Sequence, residues 1–394
     1  MKYIVLVGDG MPDRPVKELG GKTPLEAANT SNMDIIASTG TCGMANFVPE
    51  QFQPASDVAN LSLFGYDPKL YYKGRGPLEA ASMGIELDND DVAFRCNTVT
   101  IKDGVMDDFS AGHITTAEST QIIAEIEAGL GTKEIKFYPG VSYRHLCVIK
   151  RGPENVKFTP PHDISGKKID TYLPKGDGSD LLNDLMERSK PILKNSPVNK
   201  KRISKGKKPV TSIWLWGQGK KPSMPTYKKL YNISGSVITA VDLIKGIGVY
   251  AGLDVINVPG ATGYLDTNYI GKAEYALESL RSKDFVFVHV ESPDECGHNG
   301  DLKGKIQAIE DFDRLVVGTI IKGLKEFKEW RILVTADHAT PLEIKTHSRG
   351  MVPFAMSGKG IEKGGIKKFC EKEIAKSMLR IDEGYSIISR LIGE

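Results

Sequence analysis

The chain has little of what would tie it to a membrane, an oxidising compartment or a nucleic acid. Its five cysteines, Cys42, Cys96, Cys147, Cys296 and Cys370, lie far apart and form no CxxC pair. Neither a disulfide framework nor a structural zinc site is indicated, and a reducing cytoplasm is the expected setting. Lys and Arg number 52 against 50 Asp and Glu, a net charge of +2, so nothing general in the charge calls for a nucleic-acid partner. The N-terminal apolar run Tyr3 to Val7 is much too short for a signal peptide or a membrane span. It is read instead as a first buried strand, and no membrane partner is expected. There is no internal repeat of fixed period and no long low-complexity tract, which sets solenoid architectures aside. The three tryptophans, Trp214, Trp216 and Trp330, are read as core or edge packing rather than a binding platform.

What is present fits a soluble globular protein, 40% hydrophobic and 26% charged. At 394 residues it exceeds one ordinary core and suits two to three domains of about 150 residues each. Short β-branched runs recur at Asp284 to Val290 (DFVFVHV) and Arg331 to Thr335 (RILVT), as central parallel strands do. Between them, Ile306, Ile309, Phe312, Leu315, Val316 and Ile320 follow helix spacing over Lys305 to Leu324, which makes a βαβ unit. Val92 to Ile101 and Val141 to Lys150 read as strands and Ala117 to Leu130 as a helix, a second α/β unit inserted into the first. The lysine-rich stretch Ser189 to Pro209 reads as its boundary, and Ser212 to Trp216 as a strand beyond it.

The chemistry-bearing residues sit where predicted strands end: Asp9 in VGDGMPD, Asp294 and His298 in DECGH, Asp337 and His338 in TADHATP, and His347. Strand ends of an open α/β sheet point to one crevice, so ligands remote in sequence can meet there. The pattern suggests a dinuclear metal centre. Each motif also has a plainer reading. Asp294 and His298 would share a helix face but could be a surface pair; Asp337 and His338 could be a loop carboxylate and a satisfied histidine; Asp9 could make an Asx turn. Ser56, in QPASDVANLSLFGYDP, opens an apolar helix, where Ser is a preferred N-cap. The same helix N-terminus would also favour a phosphate on that hydroxyl.

Taken together, VGDGMPDRP, SDVANLSLFGYDP, GRGPLEAASMGI, AFRCN, SAGHI, SYRH, PPHDISG, WLWGQG, GATGYLDTNYIGKA, HVESPDECGHNGD and TADHATP resemble the archaeal-type cofactor-independent phosphoglycerate mutases of the alkaline phosphatase superfamily. The resemblance covers nearly the whole chain and is vaguer in the inserted segment. It implies an alkaline phosphatase-like three-layer α/β/α core with a mostly parallel sheet, formed by residues 1–79 and 210–394, and a smaller inserted α/β lid at 80–209. It implies one ion held by Asp294, His298 and His347 and another by Asp9, Ser56, Asp337 and His338. Mixed carboxylate and imidazole ligation suits Mn²⁺ or Zn²⁺ better than Mg²⁺.

The implied reaction interconverts 3-phosphoglycerate and 2-phosphoglycerate, in glycolysis and gluconeogenesis, through a phosphoserine on Ser56 and without 2,3-bisphosphoglycerate. Arg95, Arg144 and Lys272 would contact anionic groups of that small-molecule substrate, and Lys272 and His113 would act catalytically near the phosphoryl group. Plainer readings make Arg95 and Arg144 surface ion-pair partners and His113 a capped loop histidine. The serine phrase is ASDVANLS, not the GNSEVGH-like phrase of the bacterial and plant branch, so that branch's substrate contacts do not transfer. A phosphomonoesterase, a homoserine kinase-like phosphotransferase and a non-catalytic metal-binding protein are the rival readings. His162 and the WLWGQG phrase receive no role, and the oligomeric state, a homo-oligomer included, stays open.

Overall fold

The computed structural model describes residues 1–393, and the chain divides into two units, Met1–Tyr72 with Ser223–Glu394, and Lys73–Pro222. The first unit is built on an eight-stranded sheet. Its strands run in the order Arg380–Ile381, Thr41–Ala45, Val352–Gly358, Trp330–Thr335, Lys2–Gly8, Phe285–Val290, Gly235–Ile238, Asp254–Val255. Five of the seven pairings are parallel, and only Val352–Gly358 runs against its neighbours. Ile4 to Val7 and Phe285 to Val288 are all 0% exposed. Because successive side chains point to opposite faces, both faces of the sheet are covered, and the unit is a three-layer α/β/α sandwich.

Parallel strands need crossovers, and the helix expected over Lys305 to Leu324 supplies the one from Phe285–Val290 to Trp330–Thr335, across Lys2–Gly8. It is not a single α-helix: Leu302–Asp311 gives way to a π-helical turn over Phe312–Val317 before Gly318–Gly323. The turn lets Phe312, Val316 and Val317 stay buried while the Asp313 carboxylate accepts from Asn32 N at 3.1 Å and Met33 N at 2.7 Å, satisfying the start of the helix Ser31–Thr39.

In the second unit the long strand Asp91–Lys102 pairs antiparallel with Val105–Asp108, Arg144–Lys150 and Ser212–Lys220, and Arg144–Lys150 pairs with Ile135–Tyr138. Two expectations change here. The lysine-rich stretch, read as the boundary, lies inside the unit as the end of the helix Ser179–Asn195 and the helix Pro197–Ser204. Leu182, Leu185, Met186, Ser189 and Leu193 form its buried face at helical spacing, leaving the lysines to solvent. Ser212–Lys220, expected beyond the boundary, is paired with Asp91–Lys102 from Val92↔Lys220 to Val99↔Ser212, so the division falls after Pro222. No helix among the described residues is long and apolar enough to cross a membrane.

Candidate metal centre

The strands Lys2–Gly8, Phe285–Val290 and Trp330–Thr335 are adjacent and parallel, so the residues that follow them emerge at one edge of the sheet. Asp9 follows the first, the helix Ser292–Asn299 the second, and Asp337 and His338 the third. Backbone must pass closely there. Gly10 has φ +62°, and a Cβ on it would lie 2.8 Å from the Asp294 Cα and 2.7 Å from the Thr340 Oγ1, so glycine is required.

The sequence-predicted ligands come together. His298 Nε2 is 3.2 Å from Asp294 Oδ2, and His347 Nε2 is 3.5 Å from Asp294 Oδ1. His338 Nε2 is 3.6 Å from Asp9 Oδ1 and 3.4 Å from Asp337 Oδ2. Ser56 is the first residue of the helix Ser56–Leu63, Ala55 occupies the N-cap position, and no side chain caps the helix. The capping reading of Ser56 is therefore replaced: its Oγ lies 3.0 Å from His338 Nε2.

Three features of this cluster call for cations. Asp9, Asp294 and Asp337 are 1%, 4% and 1% exposed, and burial, followed by the charges of Asp337 and Asp294, pushes the Asp9 carboxyl well above its ordinary range. Asp9 Oδ1 is buried without a hydrogen-bond partner. Finally, His298 Nδ1 lies 3.0 Å from the Lys345 carbonyl and His347 Nδ1 3.3 Å from the Pro54 carbonyl. A carbonyl only accepts, so hydrogen bonding assigns the proton of each ring to Nδ1. The two Nε2 atoms lie 3.0 Å apart and both face the Asp294 carboxylate, whose hydrogen bond raises the His298 pKa to about 9, so three donor groups converge on one point as the ligands of a shared cation do. The donor set, carboxylates and imidazoles within 4.8 Å of one another in the groups Asp294–His298–His347 and Asp9–Asp294–His338, fits divalent transition-metal ions.

Three contributors escaped sequence reasoning. Thr340 Oγ1 donates to Asp294 Oδ1 and lies 3.3 Å from His338 Nδ1, linking ligands of both groups. Asn60 Nδ2 donates to Asp337 Oδ2 at 2.9 Å and to the Ser56 carbonyl at 2.9 Å. His289 Nε2 lies 3.1 Å from Asp9 Oδ2, and burial holds its ring neutral by pushing its pKa down to about 3. The available signal was a single histidine near the C-terminal end of an otherwise apolar strand.

Lys272 is placed differently from an open anion contact. It is 0% exposed on the helix Tyr269–Ser282, and its Nζ donates to the His289 carbonyl at 3.0 Å. Burial brings its pKa down to about 8. His113, Arg95 and Arg144 belong to the second unit, where rings and cations form one chain of contacts. Arg95 stacks 4.3 Å from the centroid of Trp216 and pairs with Glu79 at 2.9 Å. Trp216 meets His162 at 5.5 Å, His162 meets Phe109 at 6.1 Å, and Phe109 meets Tyr143 at 5.6 Å. Tyr143 carries Arg144 at 5.8 Å and His113 at 6.5 Å. Trp216 is buried as packing requires, yet its ring is also the seat of Arg95, and His162 sits at the middle of the chain. His113 is exposed and follows Ala111 and Gly112 in left-handed backbone, with φ of 49°, 67° and 48° over the three residues, strain of the kind that accompanies functional loops.

Comparison with known proteins gives a consistent answer. The sequence profile described as 2,3-bisphosphoglycerate-independent phosphoglycerate mutase matches residues 37–199. A protein of Geobacter sulfurreducens named probable 2,3-bisphosphoglycerate-independent phosphoglycerate mutase is 52% identical, with 100% of both chains covered. One of Methanothrix thermoacetophila named 2,3-bisphosphoglycerate-independent phosphoglycerate mutase is 53% identical at the same coverage. Among solved structures, the PH0037 protein from Pyrococcus horikoshii superposes with a TM-score of 0.85 at 32% identity, over 100% of this chain and 96% of that one. A cofactor-independent phosphoglycerate mutase from Thermoplasma acidophilum gives a TM-score of 0.69 at 29% identity, over 100% and 99%.

Proposed function

The chain belongs to the family of 2,3-bisphosphoglycerate-independent phosphoglycerate mutases, and we propose that it interconverts 3-phosphoglycerate and 2-phosphoglycerate through a phosphoserine on Ser56. The observation that carries the reading is the position of the Ser56 hydroxyl. It stands at a helix N-terminus, 3.0 Å from His338 Nε2, within a cluster of buried carboxylates and imidazoles.

Asp294, His298 and His347 would hold one divalent ion, and Asp9, Asp337, His338 and Ser56 a second, with Mn²⁺ or Zn²⁺ favoured by the imidazoles. Bound there, the ions would lower the pKa of the Ser56 hydroxyl and neutralise charge on a transferring phosphoryl group. The protein's own groups do the rest. Asn60 fixes Asp337 and the first turn of the Ser56 helix, whose N-terminal end favours a phosphoryl group on Oγ. Thr340 fixes Asp294, and Lys272 holds the end of the strand that carries His289. In the second unit, we assign Arg95 and Arg144 to the glycerate carboxylate, for which a guanidinium fork is suited, and exposed His113 to the hydroxyl that gives and receives the phosphoryl group. The family name states independence from 2,3-bisphosphoglycerate, and on the phosphoserine route Ser56 returns the phosphoryl group to the other hydroxyl of a retained glycerate. Five free, buried cysteines fit a reducing cytoplasm.

Phosphorus NMR of the Mn²⁺-reconstituted protein with 3-phosphoglycerate, quenched and chelated before recording, tests the reading. We expect 2-phosphoglycerate with little free phosphate. Free phosphate as the main product would make the protein a phosphatase.

A further inference from the structure

We propose that His289 is itself a ligand of the metal centre, binding through Nε2 the ion that Asp9 and Asp337 hold. The proposal rests on the metal reading above and adds to it a residue that neither the sequence motifs nor the comparisons supplied. His289 is 0% exposed. The register Val7↔His289 places it beside the end of the strand that leads into Asp9, and the Lys272 ammonium fixes its carbonyl at 3.0 Å. Its ring leaves one nitrogen unexplained. Nδ1 lies 3.4 Å from Thr239 Oγ1, a hydroxyl that accepts from Val241 N at 3.0 Å and keeps a lone pair for an Nδ1–H donor. Nε2 is 3.1 Å from Asp9 Oδ2 but is not directed for a hydrogen bond, and it is buried with no partner.

A bare Nε2 held against an ionised carboxylate at that distance is unfavourable unless a cation lies against both. It is the separation expected of two ligands of one ion: donors about 2.1 Å from a metal and at right angles to each other lie about 3 Å apart. A second orphan sits on the same carboxylate, at Asp9 Oδ1. Ligand atoms of Asp9, His289 and Asp337 all lie within 4.8 Å of one another. The Thr239 contact then acts as the outer partner that a metal-bound imidazole commonly has, orienting the ring and fixing its tautomer.

The competing role is a hydrogen bond from Nε2–H that merely orients Asp9. His289→Gln separates the two, because a glutamine amide can still donate to Asp9 but replaces an imidazole ligand poorly. Chelator-stripped protein and variant would be titrated with Mn²⁺ alone by equilibrium dialysis, with circular dichroism confirming the fold. We expect two ions on the parent protein and, on the variant, one site weakened by roughly 100-fold or more. Two sites of unchanged affinity in the folded variant would overturn the proposal and leave the metal centre standing. A parent protein that binds no Mn²⁺ would overturn both. Should the variant not fold, pulsed EPR of the Mn²⁺-loaded parent protein with ¹⁵N-labelled histidine decides. Four coupled imidazoles, from His289, His298, His338 and His347, are expected, and three would refute the assignment.

Discussion

Replacing Ser56 with alanine is expected to abolish turnover while sparing the fold. The structural cost is small. Ser56 is partly buried, holds the first position of its helix and caps nothing, so what is lost is one hydrogen bond with His338, worth about 0.5–1.5 kcal/mol. Alanine's better helix propensity returns about 0.5 kcal/mol. A net change within about 1 kcal/mol moves the melting temperature by about 2–4 °C. Metal binding survives as well, because the buried carboxylates and imidazoles remain and only a neutral hydroxyl is removed.

The catalytic cost is of another order. Without Oγ there is no acceptor for the phosphoryl group, and loss of a covalent nucleophile reduces kcat by about 10⁴- to 10⁶-fold, or about 5 to 8 kcal/mol of transition-state stabilisation. The assay is phosphorus NMR on protein whose metal content has been measured. Acid-quenched incubation with ³²P-phosphoglycerate provides a second readout, since the parent protein should carry label and the variant none. A variant that binds both ions, melts normally and keeps more than a hundredth of the activity would refute the phosphoserine route.

Other outcomes follow from the same geometry. Gly10→Ala forces an alanine to φ +62° and sets its Cβ against Asp294 and Thr340. Left-handed backbone alone costs about 1–2 kcal/mol, so we expect the melting temperature to fall by at least about 5 °C with loss of Mn²⁺ affinity in dialysis; normal metal binding would contradict the crowding. Chelation should inactivate the protein reversibly and lower its melting temperature, since ions that bind only the folded state stabilise it; activity indifferent to the chelator would remove the metal reading. In the second unit, burial pushes the Glu118 carboxyl up, but the Thr115 hydroxyl and the charge of Arg202 hold it below its ordinary range, with Arg202 Nη1 at 2.6 Å. A depressed carboxylate stabilises the fold above its unfolded value of about 4.3, and that contribution is lost as pH falls through the lower folded value. The stability difference between parent and Glu118→Gln in urea should thus be constant above about pH 5 and shrink below about pH 4; a difference that stays flat into acid would show that the pair does not stabilise.

How much of this was legible in the sequence depended on whether a residue's role was local. Asp9, Asp337 and His338 follow apolar strands directly, and Asp294 and His298 share one face of a helix, so residue type and spacing located them. Ser56 was ambiguous because N-capping and nucleophilic roles both place a serine at a helix start; the direction of Oγ, toward His338 rather than its own backbone, decides. His289 was hidden by burial on both faces, since alternation in DFVFVHV cannot tell a packed ring from one that faces a ligand. The second unit's cationic chain depends on pairing that no local pattern gives. Arg95 lies opposite Leu146 on one neighbour and Trp216 on the other, and Asn97 opposite Arg144, and these registers gather motifs that are remote in the chain. The misread stretch at Ser189 to Pro209 shows the same limit, because a window opened at Ser189 omits Leu182, Leu185 and Met186, which with Leu193 make the stretch the polar side of a helix.

The sheet edge itself argues that fold and chemistry are coupled. Asp9, Asp294 and Asp337 are withdrawn from water at the ends of strands whose residues are almost wholly apolar, and an unpaired buried carboxylate is costly by several kcal/mol. The protein's own donors meet part of that cost: Gly10 N and His338 N reach Asp337 Oδ1 at 3.3 and 2.8 Å, Asn60 reaches its Oδ2, and Thr340 reaches Asp294. Asp9 receives the least, with Oδ1 unpartnered and Oδ2 facing the ring of His289. The carboxylate that hydrogen bonding leaves most exposed to its neighbours' charge is therefore the one on which a cation would gain most, and it lies in contact distance of His338, the imidazole that meets the Ser56 hydroxyl.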